Sequence, residues 1–242
     1  MVIVMAYHNR EKQLMKTLES FKDCKDVEVI IVNDSDPIKL PALSFNVTII
    51  DVKKTWINPG VNFNIGFVEA MKRNPENILI QNPECYHIGN IFSVVKEKLT
   101  DSNYLTFACY SLGKDQDVTF RSFNNRTAVS NGDSAWYNHS KYRPEALHFC
   151  CAIKAKNLCK INGFDEQFWD GLGYEDNYFI HQIRTLGLRI EFVDNPFVLH
   201  QYHYDQKAFT FDADLYARTG RLCERLKRQN IYKAKHRITP DL

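Results

Sequence analysis

Short apolar runs alternate with segments of helical periodicity along the first hundred residues of the chain. Four runs rich in Val and Ile predict β-strands, at residues 2–6, 27–32, 47–52 and 78–81. Between the strands, apolar residues recur at helical spacings, as at Leu14, Leu18 and Phe21. The predicted helices lie near residues 11–21, 63–73 and 92–99.

Strands separated by helices predict βαβ units. We therefore expect an α/β protein with a mostly parallel central sheet flanked by helices in a Rossmann-like arrangement. In such sheets, ligands bind beyond the carboxyl ends of the strands. Three polar turns should lie at that edge: "YHNRE" after the first strand, "NDSDP" after the second and "NPECYH" after the fourth.

The second half of the chain has a different pattern of polar and apolar residues. The run "YLTFACYSL" at 104–112 predicts another buried strand, whereas residues 113–146 are polar and show little periodicity. An irregular segment of this length is rarely a passive connection, so we expect a lid or a substrate-binding excursion there.

Basic residues dominate the segment 218–237, in which Glu224 is the only acid. Leu215, Leu222 and Leu226 indicate an amphipathic helix. Such a helix can be a solvated one that packs by its apolar stripe. It can also contact an anionic surface, such as a membrane, a lipid phosphate or a nucleic acid.

The overall composition is that of an ordinary globular protein with one large domain or two small ones. Of the 242 residues, 44% are hydrophobic and 25% are charged, and the net charge of +2 singles out no class of partner. No apolar run approaches the ~20 residues of a membrane-spanning helix, and the opening "MVIVMAY" lacks the basic region of a secretory signal. The seven cysteines form no CxxC pair, which favours reduced thiols. We therefore expect a cytoplasmic protein.

Two of the polar turns carry candidate ligand-binding groups. Asp34 ends a very apolar strand, where its carboxylate can accept a hydrogen bond from a bound base or can simply cap a turn. In "NPECYH", Glu84 and His87 offer a carboxylate and an imidazole that suit Mn²⁺ or a similar ion, although a role in stabilising the turn is also open. A third ligand could come from "VLHQYH", in which His200 and His203 follow another apolar strand.

The block "GFDEQFWDGLGYEDNYFIHQI" concentrates acids and aromatic residues around glycines. Glu175 and Asp176 stand just before a helical pattern, where they could simply interact with the helix dipole. However, Gly171 and Gly173, with Trp169 upstream, indicate a close backbone approach to a flat ligand. A carboxylate beside aromatic rings can help to hold a sugar and to deprotonate its hydroxyl.

The phosphate-loop, GxGxxG, thiol-protease and GxSxG signatures are absent, which argues against kinases, common dehydrogenases and simple hydrolases.

Together these motifs resemble the inverting nucleotide-sugar glycosyltransferases of the GT-A fold, that is, family 2 and its galactosyltransferase-like relatives. "VIVMAYHNREKQLMKTLESF" is similar to the family's opening strand, turn and helix, and "VEVIIVNDSDP" to its second strand with a nucleotide-contacting acid. "NPGVNFNIGFVEAM" stands where the family has an Asn-x-Gly segment that opens a helix. The most specific likeness is "INGFDEQFWDGLGYEDNYFIHQIRTLGLRI", which resembles the family's Gly-Phe-Asp-Glu … Gly-x-Glu-Asp block. The resemblance covers residues 1 to about 203, apart from 113–146.

The resemblance implies a GT-A domain over residues 1–206, with a nucleotide-sugar-binding half at 1–112 and an acceptor and catalytic half at 113–206. A basic helical tail follows at 207–242. The implied activity is that of an inverting hexosyltransferase, which takes a sugar from a nucleotide sugar, expected to be a UDP-sugar. The implied acceptor is a hydroxyl of a glycan, a glycolipid, another lipid-linked molecule or a glycoprotein. Mn²⁺ or Mg²⁺ is the implied cofactor.

The resemblance also assigns roles to single residues. Asp176 falls on the family's catalytic base, and Glu175 would support the acceptor site. Asp34 would contact the uracil. The nucleotide sugar would be bound by Ala6, Tyr7, His8, Asp34, Asn64, Asn82 and Trp169. The metal ligands would be Glu84 and His200, with His87 as a further candidate.

The chain departs from the family pattern at two positions. Asn82 replaces the first acid of the family's Asp-x-Asp, and Phe63 stands where many relatives carry an Arg that contacts the diphosphate. Two alternatives therefore remain open. One is a catalytically decayed protein of the same fold that binds sugar nucleotides. The other is a nucleic-acid-binding module that uses the basic tail, although no nucleic acid is expected because the rest of the chain has no comparable basic bias. The tail could instead contact a membrane peripherally.

Overall fold

The computed structural model describes residues 1–24, 26–204 and 211–242. Its strands are β1 (Val2–Tyr7), β2 (Glu28–Asn33), β3 (Asn46–Asp51), β4 (Asn77–Gln81), β5 (Cys85–Ile88), β6 (Asn103–Ser111), β7 (Ala135–Asn138), β8 (Cys150–Lys154) and β9 (Arg189–His200). Its α-helices are α1 (Glu11–Glu19), α2 (Gly60–Met71), α3 (Ile91–Lys98), α4 (Ala155–Ile161), α5 (Glu175–Thr185) and α6 (Ala213–Lys227). A 3-10 turn, Glu166–Phe168, precedes α5.

All of the strands join one sheet with the order β3-β2-β1-β4-β8-β6-β9-β5, and β7 pairs with β6 at the side. The first four strands form a parallel unit, as predicted. The sheet as a whole is mixed, however, because β8 runs antiparallel to both β4 and β6, and β5 runs antiparallel to β9. The α/β class is therefore confirmed, and the expected parallel pairing extends over β3, β2, β1 and β4 and recurs between β6 and β9.

Both faces of the central strands are buried, which explains their continuous apolar runs. In β1, Ile3 and Met5 pack in a core with side chains of α1 and α3. Val2 and Val4 point to the opposite face and pack with side chains of α2, α4 and α5. This alternation is the period of two expected for a strand that is covered on both sides.

The turn after β4 is shorter than the sequence suggested. Residues 82–84 form the turn, and the chain then enters β5, which pairs with the end of β9 so that Cys85 lies opposite His200. This pairing brings Glu84 next to the carboxyl end of β9. The pairing depends on a strand more than a hundred residues away, so no local pattern could reveal it.

The predicted irregular segment 113–146 contains β7 and is otherwise made of turns and loops. Its aromatic side chains pack around Tyr110 of β6, with Phe120, Phe123 and Trp136 in contact. Asn131 from the same segment lines the cavity described below.

The C-terminal residues pack against the rest of the protein. Cys223 and Leu226 of α6 are buried against Phe168 and Tyr178, as expected for an amphipathic helix. The boundary predicted between residues 206 and 207 lies outside the described residues. Among the helices that the structure describes, none has the length and apolar character needed to cross a membrane.

Candidate active site

A cavity of about 590 Å³ opens where β1, β2 and β4 end. Because β8 is antiparallel to these strands, the residues that precede it reach the same edge of the sheet. The cavity brings together nine of the residues predicted from the sequence, namely Ala6, Tyr7, His8, Asp34, Asn82, Glu84, Glu175, Asp176 and His200.

The Asp34 carboxylate follows β2 and is held by three donors. Its Oδ1 lies 2.6 Å from Nδ1 of His8, and its Oδ2 accepts a hydrogen bond of 2.8 Å from Asn62 and lies 3.0 Å from Nζ of Lys54. Burial alone would raise the pKa of this carboxyl, but the hydrogen bonds from Lys54, His8 and Asn62 outweigh burial and hold the pKa below its usual value. Asp34 is therefore an ionised acceptor with a fixed orientation.

Glu84 is the centre of a second charged group. Its side chain is 2% exposed, and its Oε1 lies 2.7 Å from Nη1 of Arg10, 3.1 Å from Nε2 of His200 and 3.7 Å from Nε2 of His203. Burial alone would raise the pKa of the Glu84 carboxyl, yet the Arg10 charge and the His200 hydrogen bond hold it well below its usual range. Burial lowers the pKa of His203 to about 3, so that this imidazole is neutral at pH 7.

Glu84, His200 and His203 fit a divalent cation. One ligand atom from each lies within 4.8 Å of the others, so that small side-chain shifts would bring them to the roughly 3–3.5 Å between neighbouring ligands on one ion. The second oxygen of Glu84, Oε2, is buried and has no hydrogen-bond partner among the described residues. A buried carboxylate oxygen without a donor is costly to a fold, and a cation would satisfy it. The two imidazoles suit Mn²⁺ or Zn²⁺ better than Mg²⁺, which prefers oxygen ligands.

Glu175 and Asp176 form a separate pair of acids at the start of α5. Asn58 donates a hydrogen bond of 2.8 Å to Oε2 of Glu175, and the backbone N–H of Asn177 donates one of 2.7 Å to Oδ1 of Asp176. Burial, together with the charge of Asp176, raises the pKa of Glu175 to about 7. The two acids are therefore electrostatically coupled, and a large fraction of Glu175 is protonated at neutral pH.

The backbone before this pair is strained. Tyr174 has φ = +67°, which is unfavourable for a residue with a Cβ, and Gly173 before it has the same φ. Tyr174 is held by α6, because its ring packs on Tyr216 and against Gly220, where a Cβ would come within 3.0 Å of the ring. The C-terminal helix therefore supports the turn that presents Asp176. Strain of this kind is concentrated at functional sites.

Three predicted site residues lie outside the cavity, and His87 is the first of them. It lies on β5 with its Nε2 2.8 Å from Oε1 of Gln81, and its ring packs between Phe21 and Phe92. Successive side chains of a strand point to opposite faces, so the direction of β5 turns His87 away from Glu84. Within the described residues, the third member of the cluster is His203, which the sequence left as an alternative to His87.

The other two are Asn64 and Trp169. Asn64 is fully buried, and its side-chain amide bonds Phe164 and the carboxylate of Glu166. It lies two residues from Asn62 on α2, a rotation of about 200° around the helix, and it is Asn62 that faces the cavity. Trp169 is 41% exposed and lines a neighbouring groove, and its carbonyl accepts hydrogen bonds from the backbone of residues 57 and 58.

Further polar residues line the cavity without having been predicted, among them Arg10, Lys54, Asn62 and His148. Arg10 and Lys54 follow β1 and β3, so the rule of strand ends would have found them. His148 precedes β8, and only the antiparallel direction of β8 brings it to this edge.

Residues 135–204 match the family model described as the N-terminal domain of galactosyltransferase. No curated protein matches the sequence. The family match contains the whole of the acid-rich block and both His200 and His203.

Solved structures share the fold at low sequence identity. TarS 1–349 from S. aureus, in complex with UDP-GlcNAc, is 16% identical with a TM-score of 0.63, and the match covers 98% of this chain and 67% of that one. A mutant of Drosophila β-1,4-galactosyltransferase 7, with manganese, UDP-Gal and xylobiose, is 13% identical with a TM-score of 0.55, and the match covers 99% and 81%. GalNAc-T7 with UDP, GalNAc and Mn²⁺ is 14% identical with a TM-score of 0.59, covering 92% and 48%.

The protein therefore has the fold of the GT-A glycosyltransferases, and the resemblance inferred from the sequence, with its galactosyltransferase-like C-terminal block, is confirmed. All three of these structures hold UDP or a UDP-sugar, and two hold manganese. The match to a further structure of TarS from S. aureus has 15% sequence identity and a TM-score of 0.58. This chain spans only 36% of the length of that one.

Proposed function

We propose that the protein is an inverting glycosyltransferase, a hexosyltransferase that moves a sugar from a UDP-sugar to an acceptor hydroxyl with the help of a divalent cation. The observation that carries this proposal is the content of one cavity. A Glu-His-His cluster suited to a cation and a separate pair of acids on α5 both face it, at the edge of the sheet where α/β proteins bind ligands.

Asp34 would bind the uracil. A carboxylate offers about four acceptor positions, and His8, Asn62 and Lys54 use three of them. The remaining position can accept the N–H of a uracil ring. The UDP and UDP-sugars bound by proteins of the same fold support this choice of donor.

Glu84, His200 and His203 would hold the cation, for which we propose Mn²⁺ over Mg²⁺ because of the two imidazoles. When bound, the cation acts as a Lewis acid that stabilises the charge of the leaving diphosphate. Arg10 and Lys54 add fixed positive charge to the same cavity. They supply part of the positive charge that relatives place near the diphosphate with an arginine at the position of Phe63.

Asp176 would act as the general base. Its carboxylate takes the proton of the acceptor hydroxyl as the hydroxyl oxygen attacks the anomeric carbon. Attack from the face opposite the leaving diphosphate inverts the configuration of that carbon. Glu175, which is partly protonated at neutral pH, can donate a hydrogen bond to the acceptor and orient it.

The acceptor would be a hydroxyl of a glycan, a glycolipid, another lipid-linked molecule or a glycoprotein. Xylobiose in the Drosophila enzyme shows that the fold can hold a sugar acceptor in that protein. The basic face of α6 would bring a lipid-linked acceptor close. Arg221 and Arg225 are exposed there and have no ion-pair or hydrogen-bond partner within the described part of the chain. They line a groove that reaches Gly171 at the rim of the cavity.

The proposal is tested by calorimetric titration with UDP, with and without Mn²⁺, followed by measurement of UDP release from a panel of UDP-sugars. Asp176→Asn should keep the UDP affinity of the wild type and lose ~10²–10⁴-fold in turnover. Asp170→Asn is the matched control, because Asp170 belongs to the same acid-rich block but pairs with Arg218 at the surface. Metal-independent UDP binding would remove the cation from the proposal. Equal turnover of the wild type and Asp176→Asn would point to a decayed enzyme.

A further inference from the structure

His148 lies in the cavity with no hydrogen-bond partner for its ring. The residue is 7% exposed, and its Nδ1 is buried without a partner. Nε2 likewise makes no hydrogen bond within residues 1–24, 26–204 and 211–242. Buried polar groups are nearly always satisfied, so an exception at a cavity wall calls for a partner that comes from outside the chain.

The ring is held firmly in this position. It packs edge-on against Phe63 and Phe164, at centroid distances of 5.1 and 5.2 Å. A phenylalanine would fill the same space among these rings without burying a polar atom. Packing therefore gives no reason for a histidine here.

His148 shares the cavity with two acids, Asp176 and Glu84. Burial lowers the pKa of the ring, and the negative charges of Asp176 and Glu84 act in the opposite direction. The ring is therefore neutral at pH 7, with one N–H donor and one acceptor. It is also within electrostatic reach of both the proposed base and the proposed cation ligand.

We propose that His148 forms the subsite for the sugar being transferred and exchanges a hydrogen bond with one of its hydroxyl groups. This inference rests on the proposed function. In a single displacement, the anomeric carbon lies between the leaving diphosphate, near Glu84, and the attacking hydroxyl, near Asp176. His148 lines the same cavity as Glu84 and Asp176. A sugar hydroxyl, which donates and accepts, matches a neutral imidazole.

The test compares UDP with UDP-sugars in the wild type and in His148→Phe. Titrations in the presence of Mn²⁺ measure the affinity for UDP and for UDP-Glc, UDP-Gal, UDP-GlcNAc and UDP-GalNAc. The sugar gain is the factor by which each UDP-sugar binds more tightly than UDP alone. His148→Phe should bind UDP within about twofold of the wild type and lose roughly tenfold of the gain for the preferred sugar. His148→Gln, which keeps a donor and an acceptor, should recover part of it. His181→Phe, the same change on the outer part of α5, should leave the gain unaltered.

Stability provides a second readout. Without nucleotide, His148→Phe should melt at the same temperature as the wild type or higher, because it removes an unsatisfied buried group. A purely structural histidine would give a lower melting temperature. An unchanged sugar gain in His148→Phe, or an equal loss for UDP and UDP-sugar, overturns the assignment of His148 alone. Failure of the wild type to bind any of these nucleotides overturns the proposed function, and this inference with it.

Discussion

Arg10 and Glu84 form an ion pair inside the cavity, with Nη1 of Arg10 2.7 Å from Oε1 of Glu84. The partners come from different parts of the fold, since Arg10 immediately precedes α1 and Glu84 follows β4. Glu84 is almost completely buried, whereas the Arg10 side chain is 30% exposed. In the absence of a cation, Arg10 is therefore the main positive charge that stabilises the buried carboxylate of Glu84.

This relationship predicts a stability defect that a cation repairs. Arg10→Ala should lower the free energy of unfolding in EDTA by about 1–3 kcal/mol, between the values for surface and buried pairs. Added Mn²⁺ should restore most of that loss, because binding to the native state stabilises it. Chemical denaturation in EDTA and in Mn²⁺ measures both effects.

Arg73→Ala provides the control for the Arg10 experiment. Arg73 forms ion pairs with Glu28 and Glu69 away from the cavity. Its loss should destabilise the protein equally in EDTA and in Mn²⁺. A defect of Arg10→Ala that is equally insensitive to Mn²⁺ would show that the Glu84 cluster binds no cation.

The choice of His203 over His87 is tested by two alanine substitutions. His203→Ala should weaken Mn²⁺ binding roughly a hundredfold. Loss of a residue that only hydrogen-bonds to a metal ligand already lowers metal affinity 10–100-fold, and His203 is itself a proposed ligand. His87→Ala should leave Mn²⁺ binding unchanged. It should instead reduce stability by about 2–4 kcal/mol, through a cavity between Phe21 and Phe92 and the loss of the hydrogen bond to Oε1 of Gln81. Titration calorimetry and denaturation separate these outcomes, and a loss of Mn²⁺ affinity in His87→Ala would reverse the assignment.

The elements of the first half of the fold could be predicted because their patterns are local. β1, β2 and β4 are apolar on both faces, and the helices between them carry apolar residues at helical spacing. The direction of β8 and the pairing of β5 with β9 could not be predicted, since they depend on partners far away in the chain. For this reason the sequence did not indicate that the second half of the sheet is mixed, with β6 and β9 parallel there and β8 antiparallel to β6.

The same distinction applies to the site. Asp34 and Glu84 were predicted because each follows a strand of the parallel unit, where the topology alone places a polar turn at the ligand-binding edge. His148 and the choice between His87 and His203 needed the antiparallel half of the sheet. For Asn62 and Asn64, both on α2, the helix position decides which side chain faces the cavity, and the family motif alone did not fix it.

The basic face of α6 predicts binding to an anionic lipid surface. Arg221 and Arg225 are exposed one turn apart, and Arg225 shares a groove with the exposed ring of Trp169. Arg221→Glu with Arg225→Glu should reduce binding to phosphatidylglycerol vesicles by roughly 30-fold or more, at ~1 kcal/mol per charge. Cosedimentation measures this, with phosphatidylcholine vesicles as the reference.

The control for the vesicle experiment places the same charge change on another helix. Lys12→Glu with Lys16→Glu alters α1, whose residues do not line the grooves that contain Arg221 and Arg225. Equal losses in both double variants would indicate an effect of net charge alone. No difference between the two kinds of vesicle for the wild type would exclude the lipid contact.

The raised pKa of Glu175 predicts how stability depends on pH. Burial and the Asp176 charge raise this pKa from 4.5 to about 7 in the folded protein. Between these values the folded state binds more protons than the unfolded state, so the free energy of unfolding falls as the pH rises. The contribution is absent below pH 4.5 and reaches a destabilisation of about 3 kcal/mol above pH 7.

Glu175→Gln isolates this contribution, because glutamine keeps an oxygen that can accept the hydrogen bond from Asn58 and does not titrate. The variant and the wild type should have similar stability near pH 4.5. Above pH 7 the variant should be the more stable of the two. Urea denaturation at a series of pH values gives the difference curve. A difference that stays constant from pH 4.5 to pH 8 would show that Glu175 has an ordinary pKa, and Asp176 would then act beside a second carboxylate rather than a neutral acid.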